Sequence, residues 1–160
     1  MLTILLLIPF LGALLVSVVP GHDSSSRSRS ITLITLAVQC LLSFGLLIPF
    51  TAAEPGQQLV DILPWLPQMG LEFSLGVDGL SLPLVLMNGV LCLVAAAASR
   101  SVENRPRVYF ALLLVISGAV NGAFLAQNLL LFFLFYELEL IPLWLLIAIW
   151  GGANRAYAST

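Results

Sequence analysis

The chain contains no lysine, one histidine and two cysteines, and only 9% of its residues are charged. Without lysine, all six basic residues are arginines, and a formal net charge of −2 leaves no basic patch for nucleic acid. Cys40 and Cys92 lack Cys-x-x-Cys spacing and neighbouring histidines, so they read as small buried hydrophobes rather than as a disulfide or metal site. His22 lies in a polar stretch and reads as solvated rather than as a ligand. No phosphate loop, dinucleotide fingerprint, haem motif or cysteine cluster is present, so the sequence carries no signature of a redox centre.

What fills the chain instead is hydrocarbon: 60% of residues are hydrophobic and the mean hydropathy is +1.07. A soluble domain is about 45–50% apolar. The expected fold is therefore all-α, a polytopic transmembrane helical bundle forming one membrane domain over 1–160. About 20 helical residues at roughly 1.5 Å each cross a hydrocarbon core of about 30 Å. Five runs meet that length, at 2–19, 31–50, 80–98, 108–126 and 129–150. The first has no Arg ahead of it and lacks the basic region of a secretory signal, so it is expected to be retained.

Charge gives the runs a direction. Arg27 and Arg29 lie between the first and second, Arg100, Arg105 and Arg107 between the third and fourth, and Arg155 after the fifth. These are alternate connections on one side, which the positive-inside rule assigns to the cytoplasm or its equivalent, with the amino terminus on the lumenal or periplasmic side. The opposite segment, 51–79, carries Glu54, Asp61, Glu72 and Asp78 with no cation, as an external connection should. Alternation over 71–77 predicts a short strand there. Asp78 or Ser81 is placed to cap the third span, with Pro83 tolerated in its first turn, and Trp65 reads as an interfacial anchor. Asn88, Asn121 and Gln39 read as inter-helix hydrogen bonders, with Ser117, Gly118, Ala119 and Gly122 allowing close helix approach.

Glu137 and Glu139 interrupt the last apolar run. An acid near the centre of a span costs roughly 2.5–3.5 kcal/mol on insertion scales, so such residues usually face a bundle interior or a wet cavity. Residues two apart on a helix point about 200° from each other, so the two carboxyls face different neighbours. Pro142 has no amide hydrogen, which leaves the carbonyl of Leu138, between the acids, without its helical donor and able to attract water. These residues allow two readings: proton transfer, or a neutral glutamic acid hydrogen-bonded between packed helices. No basic residue lies within the five spans, so a buried cationic partner has to come from elsewhere.

The stretch Asn128-Leu-Leu-Leu-Phe-Phe-Leu-Phe-Tyr-Glu-Leu-Glu-Leu-Ile-Pro-Leu-Trp, followed by IAIWGGANRAYAST, resembles chain 4 of respiratory complex I and its photosynthetic relative NDH-1. Leu75-Gly-Val-Asp-Gly-Leu-Ser resembles the segment before that family's third helix. Glu137-Leu-Glu139-Leu-Ile-Pro142 with Trp150-Gly-Gly is most similar to the cyanobacterial or plastid version.

The resemblance implies an antiporter-like, proton-translocating membrane subunit of an NAD(P)H or ferredoxin:plastoquinone oxidoreductase in a thylakoid membrane, packed against other membrane subunits. Quinone, iron–sulfur clusters and the electron donor are then expected in partner subunits, with no cofactor in this chain. It also implies that Glu137 is the essential glutamate of helix five, paired with a lysine on a later helix. Glu139 is a secondary candidate whose expected role is an inter-helix or inter-subunit contact. Asn128 departs from the Asp often found there, and an amide can still cap the helix. Family members have about fourteen helices, so an incomplete chain is expected. The alternatives are a structural subunit without proton transfer and a stand-alone cation/proton antiporter.

Overall fold

The computed structural model describes residues 1–18, 24–51, 56–66, 68, 71–152, 154 and 155. His22 and Glu54 lie outside the described residues. The elements are α1 (Leu2–Val18), α2 (Ser24–Gly45), β1 (Gln58–Leu66), β2 (Leu71–Val77), α3 (Ser81–Ala98), α4 (Pro106–Leu125) and α5 (Leu129–Trp150). The fold is the expected polytopic helical one. Four of the helices are long and apolar enough to cross a membrane, and α1 is a shorter apolar helix. The chain is an integral membrane protein.

Helix α2 differs most from its apolar run, beginning at Ser24 rather than 31 and ending at Gly45 rather than 50. Its polar first turns are held by neighbours: Ser25 Oγ donates to the Val102 carbonyl at 3.2 Å, and Arg29 Nη2 to the Ala97 carbonyl at 3.1 Å. The second bond satisfies one of the carbonyls that the end of α3 leaves open. At its other end, α2 tightens into i→i−3 bonds from Leu46 to Ser43 and from Leu47 to Phe44, both 3.1 Å. Pro49 follows, and residues before proline avoid helical geometry.

The external segment holds a two-stranded antiparallel sheet. β2 occupies the residues whose alternation predicts a strand. β1 is an addition, pairing Asp61 with Leu75, Ile62 with Ser74 and Leu63 with Phe73 between two flanking register shifts. Pro64 is tolerated because β1 is an edge strand of this sheet. β2 lays Leu75 and Val77, both fully buried, onto the ends of the helices beside Leu2, Leu5, Leu82 and Leu125. A second cluster at the opposite end joins Val16, Leu36, Ala96, Phe110 and Leu114.

Helix α4 packs against all four other helices and is the centre of the bundle. Lipid tails are as apolar as leucine, so close packing and polar contacts rather than water exclusion hold such helices together. Gly118 lets Pro9 and Phe10 of α1 approach so closely that a Cβ there would stand 2.8 Å from the Phe10 ring. On the α2 and α3 side, Gln39 Nε2 donates to Ser117 Oγ at 2.9 Å. Asn88 Nδ2 donates to Asn121 Oδ1 at 2.8 Å and to the Ser117 carbonyl at 3.0 Å. The Cys92 thiol donates to Asn88 Oδ1 at 3.3 Å. The amides expected to bond between helices therefore form one buried seam across α2, α3 and α4. Such bonds contribute about 0.6 kcal/mol each on average in membranes.

Candidate functional site

Both acids of interest stand on α5, which runs without interruption for 22 residues through Pro142. This helix packs chiefly on α4. Leu131, Phe135, Glu139 and Pro142 form its inward stripe, with Leu131 and Pro142 buried and Phe135 and Glu139 half-buried. Glu137 lies on the opposite, exposed stripe with Phe133, Leu140, Ile141 and Trp144. The 200° step therefore separates the carboxyls as expected. Glu139 is turned toward the bundle on the same stripe as the buried Leu131 and Pro142. Glu137 points away from the bundle. Among the described residues, neither carboxyl makes a hydrogen bond or an ion pair.

The two ends of α5 are fastened. At its start, Asn128 is in extended geometry and its Oδ1 accepts from the Leu131 amide at 2.8 Å, the capping bond expected of it. Its Nδ2 donates to the Glu72 carbonyl of β2 at 2.8 Å, and the Gln127 amide donates to the Ser74 carbonyl at 3.0 Å. At its end, Trp150 Nε1 donates to the Asn104 carbonyl at 2.8 Å and its ring meets Tyr109 edge-on at 5.3 Å. Arg155 Nη1 donates to the Ile149 carbonyl at 3.1 Å, a cation on the last turn's open acceptors. Neither the Asn128 link to the hairpin nor the Trp150 link to the α3–α4 connection is apparent from sequence. The signals available were a capping residue at one end and an interfacial aromatic at the other.

Charge is segregated along the bundle axis. The arginines cluster where α2 and α4 begin and α3 and α5 end, as Arg29 on Ala97 and Trp150 on Asn104 demonstrate. The hairpin end carries Asp61, Glu72 and Asp78. Asp61 Oδ2 takes bonds from the Met1 ammonium at 2.7 Å, the Thr3 amide at 3.0 Å and the Thr3 hydroxyl at 3.1 Å. Burial pushes this carboxyl up, but the bonds to it outweigh burial and hold it below the ordinary 3.8.

Asp78 caps α3 as expected, accepting from the Ser81 amide at 2.7 Å and the Leu80 amide at 3.0 Å while its own amide donates to Ser81 Oγ at 3.0 Å. The Ser81 amide, helped by the other bonds, holds its carboxyl below the ordinary 3.8 against the opposing effect of burial. Asp78→Ala should therefore cost about 1 kcal/mol of stability. Because the native carboxyl is depressed, the difference from wild type should be full above pH 3.8 and vanish as pH falls further. Thermal unfolding in lipid as a function of pH measures it.

A family model described as "Protein of unknown function (DUF1275)" matches residues 1–151, and the chain belongs to that family. "NAD(P)H-quinone oxidoreductase chain 4 1" of Synechococcus elongatus is 42% identical over 159 residues, covering 99% of this chain and 30% of that protein. The sequence is chain 4-like throughout. The chain spans about 30% of the length of the curated relatives it matches. Its fold superposes on a chain of respiratory complex I from Thermus thermophilus with a TM-score of 0.81 at 27% identity, covering 99% of this chain and 31% of that one. A chain of the Mrp complex from Dietzia shares the fold alone, with a TM-score of 0.76 at 20% identity over 99% of this chain and 17% of that one.

Proposed function

We propose that this protein is a proton-translocating membrane subunit of an NDH-1-type complex that reduces quinone, with Glu137 as the carboxyl that takes up and releases the proton. The single observation that carries this reading is the position of Glu137 on α5, where it sits in the middle of an exposed apolar stripe with no hydrogen-bond or ion-pair partner among the described residues. A carboxyl so placed is costly unless another element covers it and supplies a counter-charge or water. A cation on a helix packed over that stripe favours the ionised form and its withdrawal favours the neutral form, so moving the cation loads and unloads a proton. The carbonyl of Leu138, freed by Pro142, offers water a foothold one residue away.

The chain 4 identity of the cyanobacterial relative supports placement in a thylakoid-type membrane beside other membrane subunits. Quinone, iron–sulfur clusters and the electron donor belong to those partners. The arginine end faces the cytoplasm by the positive-inside rule, leaving Met1 and the hairpin on the lumenal side. Glu139, on the inward stripe of α5, serves a contact between helices rather than proton transfer. Affinity purification of the tagged protein from native membranes should recover a large assembly with quinone-reductase activity. Recovery of a lone chain that exchanges cations for protons in liposomes would replace this reading with that of a free antiporter.

A further inference from the structure

Away from α5, a groove of about 540 Å³ runs along the outside of the bundle between α1 and α4. Its walls include Phe10, Leu14 and Ser17 on one helix and Val108, Ala111 and Val115 on the other. Both sets follow helical spacing, so the groove keeps to the helix axes. From Val108 to Val115 it extends for about 10 Å, within the roughly 15 Å depth of one leaflet. It offers no free polar group, since the Ser17 hydroxyl is already bonded to the Ala13 carbonyl at 2.8 Å. Its rim is open to the surroundings, with Leu14 63% and Val108 44% exposed.

The groove is chemically directional. Ser17 and Val108 mark its shallow end, and that is the end of the bundle where the arginines gather. Arg105, exposed, begins α4 one turn ahead of Val108, and the Tyr109 amide already bonds its carbonyl at 3.2 Å. Glu103 is the opposing carboxylate on that connection, against Arg100, Arg105 and Arg107. An all-hydrocarbon slot reaching inward from a basic rim matches a molecule with an apolar tail and an anionic head.

We propose that this groove binds an anionic phospholipid, with one acyl chain between α1 and α4 and the phosphate at Arg105. The aliphatic stem of Arg105 lies along the chain's upper end while its guanidinium meets the headgroup. The lipid seals the seam between the first helix and the central one on the arginine side.

The complex containing this protein, reconstituted in vesicles, tests the assignment with phosphatidylglycerol or phosphatidylcholine bearing a diazirine on the same acyl carbon. Irradiation should label the α1 and α4 groove peptides about fivefold more from phosphatidylglycerol, the ratio that about 1 kcal/mol per basic residue produces. Arg105→Gln should erase the headgroup preference while labelling persists, and Ala111→Trp should abolish groove labelling by both lipids. Arg105 is exposed, so that variant keeps the test independent of folding. Equal labelling by the two lipids in the wild-type complex would overturn the proposal. So would labelling spread evenly onto the Leu129–Phe133 face, or crosslinks to a partner subunit in place of α1 and α4.

Discussion

Glu137→Gln in the assembled complex should cut proton pumping by about tenfold or more while the subunit stays in place, a loss equivalent to at least about 1.4 kcal/mol in the transfer step. Glutamine keeps the size of the side chain and its capacity for hydrogen bonds, but it has no proton to release in the relevant pH range. Because Glu137 faces away from α4, the substitution disturbs no contact inside the bundle. Assembly and pumping are thus separable readouts. Glu139→Gln is the informative control: its half-buried carboxyl is turned inward, so its loss should alter stability more than transport. Proton uptake by energised membrane vesicles, normalised to the amount of assembled subunit, makes the comparison. Normal pumping by an assembled Glu137→Gln complex would remove the residue from the proton route.

Gly122→Val should loosen α5 from the bundle. A Cβ at Gly122 would run into Cγ and Cδ1 of the Phe135 ring, well inside contact distance. Cγ is the root of the ring, so rotating the tip away brings no relief. Phe135 is also held edge-on by Phe73 of β2, with ring centroids 6.4 Å apart. Overpacking of this kind costs about 1–3 kcal/mol, and here it falls on the helix with the fewest neighbours. The expected outcome is a lower unfolding temperature and faster protease cleavage near the α4–α5 turn. Adding Phe135→Ala to Gly122→Val should restore much of the loss. If the single variant unfolds like wild type, Gly122 is not what sets the distance between these helices.

Those two residues also mark what could be read from the sequence. Apolar runs, arginines on alternate turns of the chain, and caps at Asp78 and Asn128 rest on local rules; the structure has four helices of bilayer length and both caps, while Arg27 and Arg29 stand inside α2 and Arg107 inside α4 rather than in connections. β1 was hidden because Leu59 takes a positive φ of 55° and Pro64 interrupts the strand, so no clean alternation survives. The early start of α2 was hidden because its Ser and Arg residues have no apolar period; partners on the α3 end and the following connection hold that turn. For Glu137 and Glu139, helical geometry fixes that they diverge. It does not fix which one turns inward, because that depends on where α4 lies, and a helix so apolar on every face leaves no pattern to orient it. The amides of Gln39, Asn88 and Asn121 were legible as inter-helix bonders one at a time, whereas their union into one seam required the packing itself.

A helix nailed down at both tips cannot swing as a stiff rod. Asn128 and Gln127 tie one tip of α5 to the hairpin, and Trp150 ties the other to the loop ahead of α4. If Glu137 moves in the proposed proton transfer, the motion comes from bowing of the middle turns, where the backbone ladder already lacks a rung at Pro142.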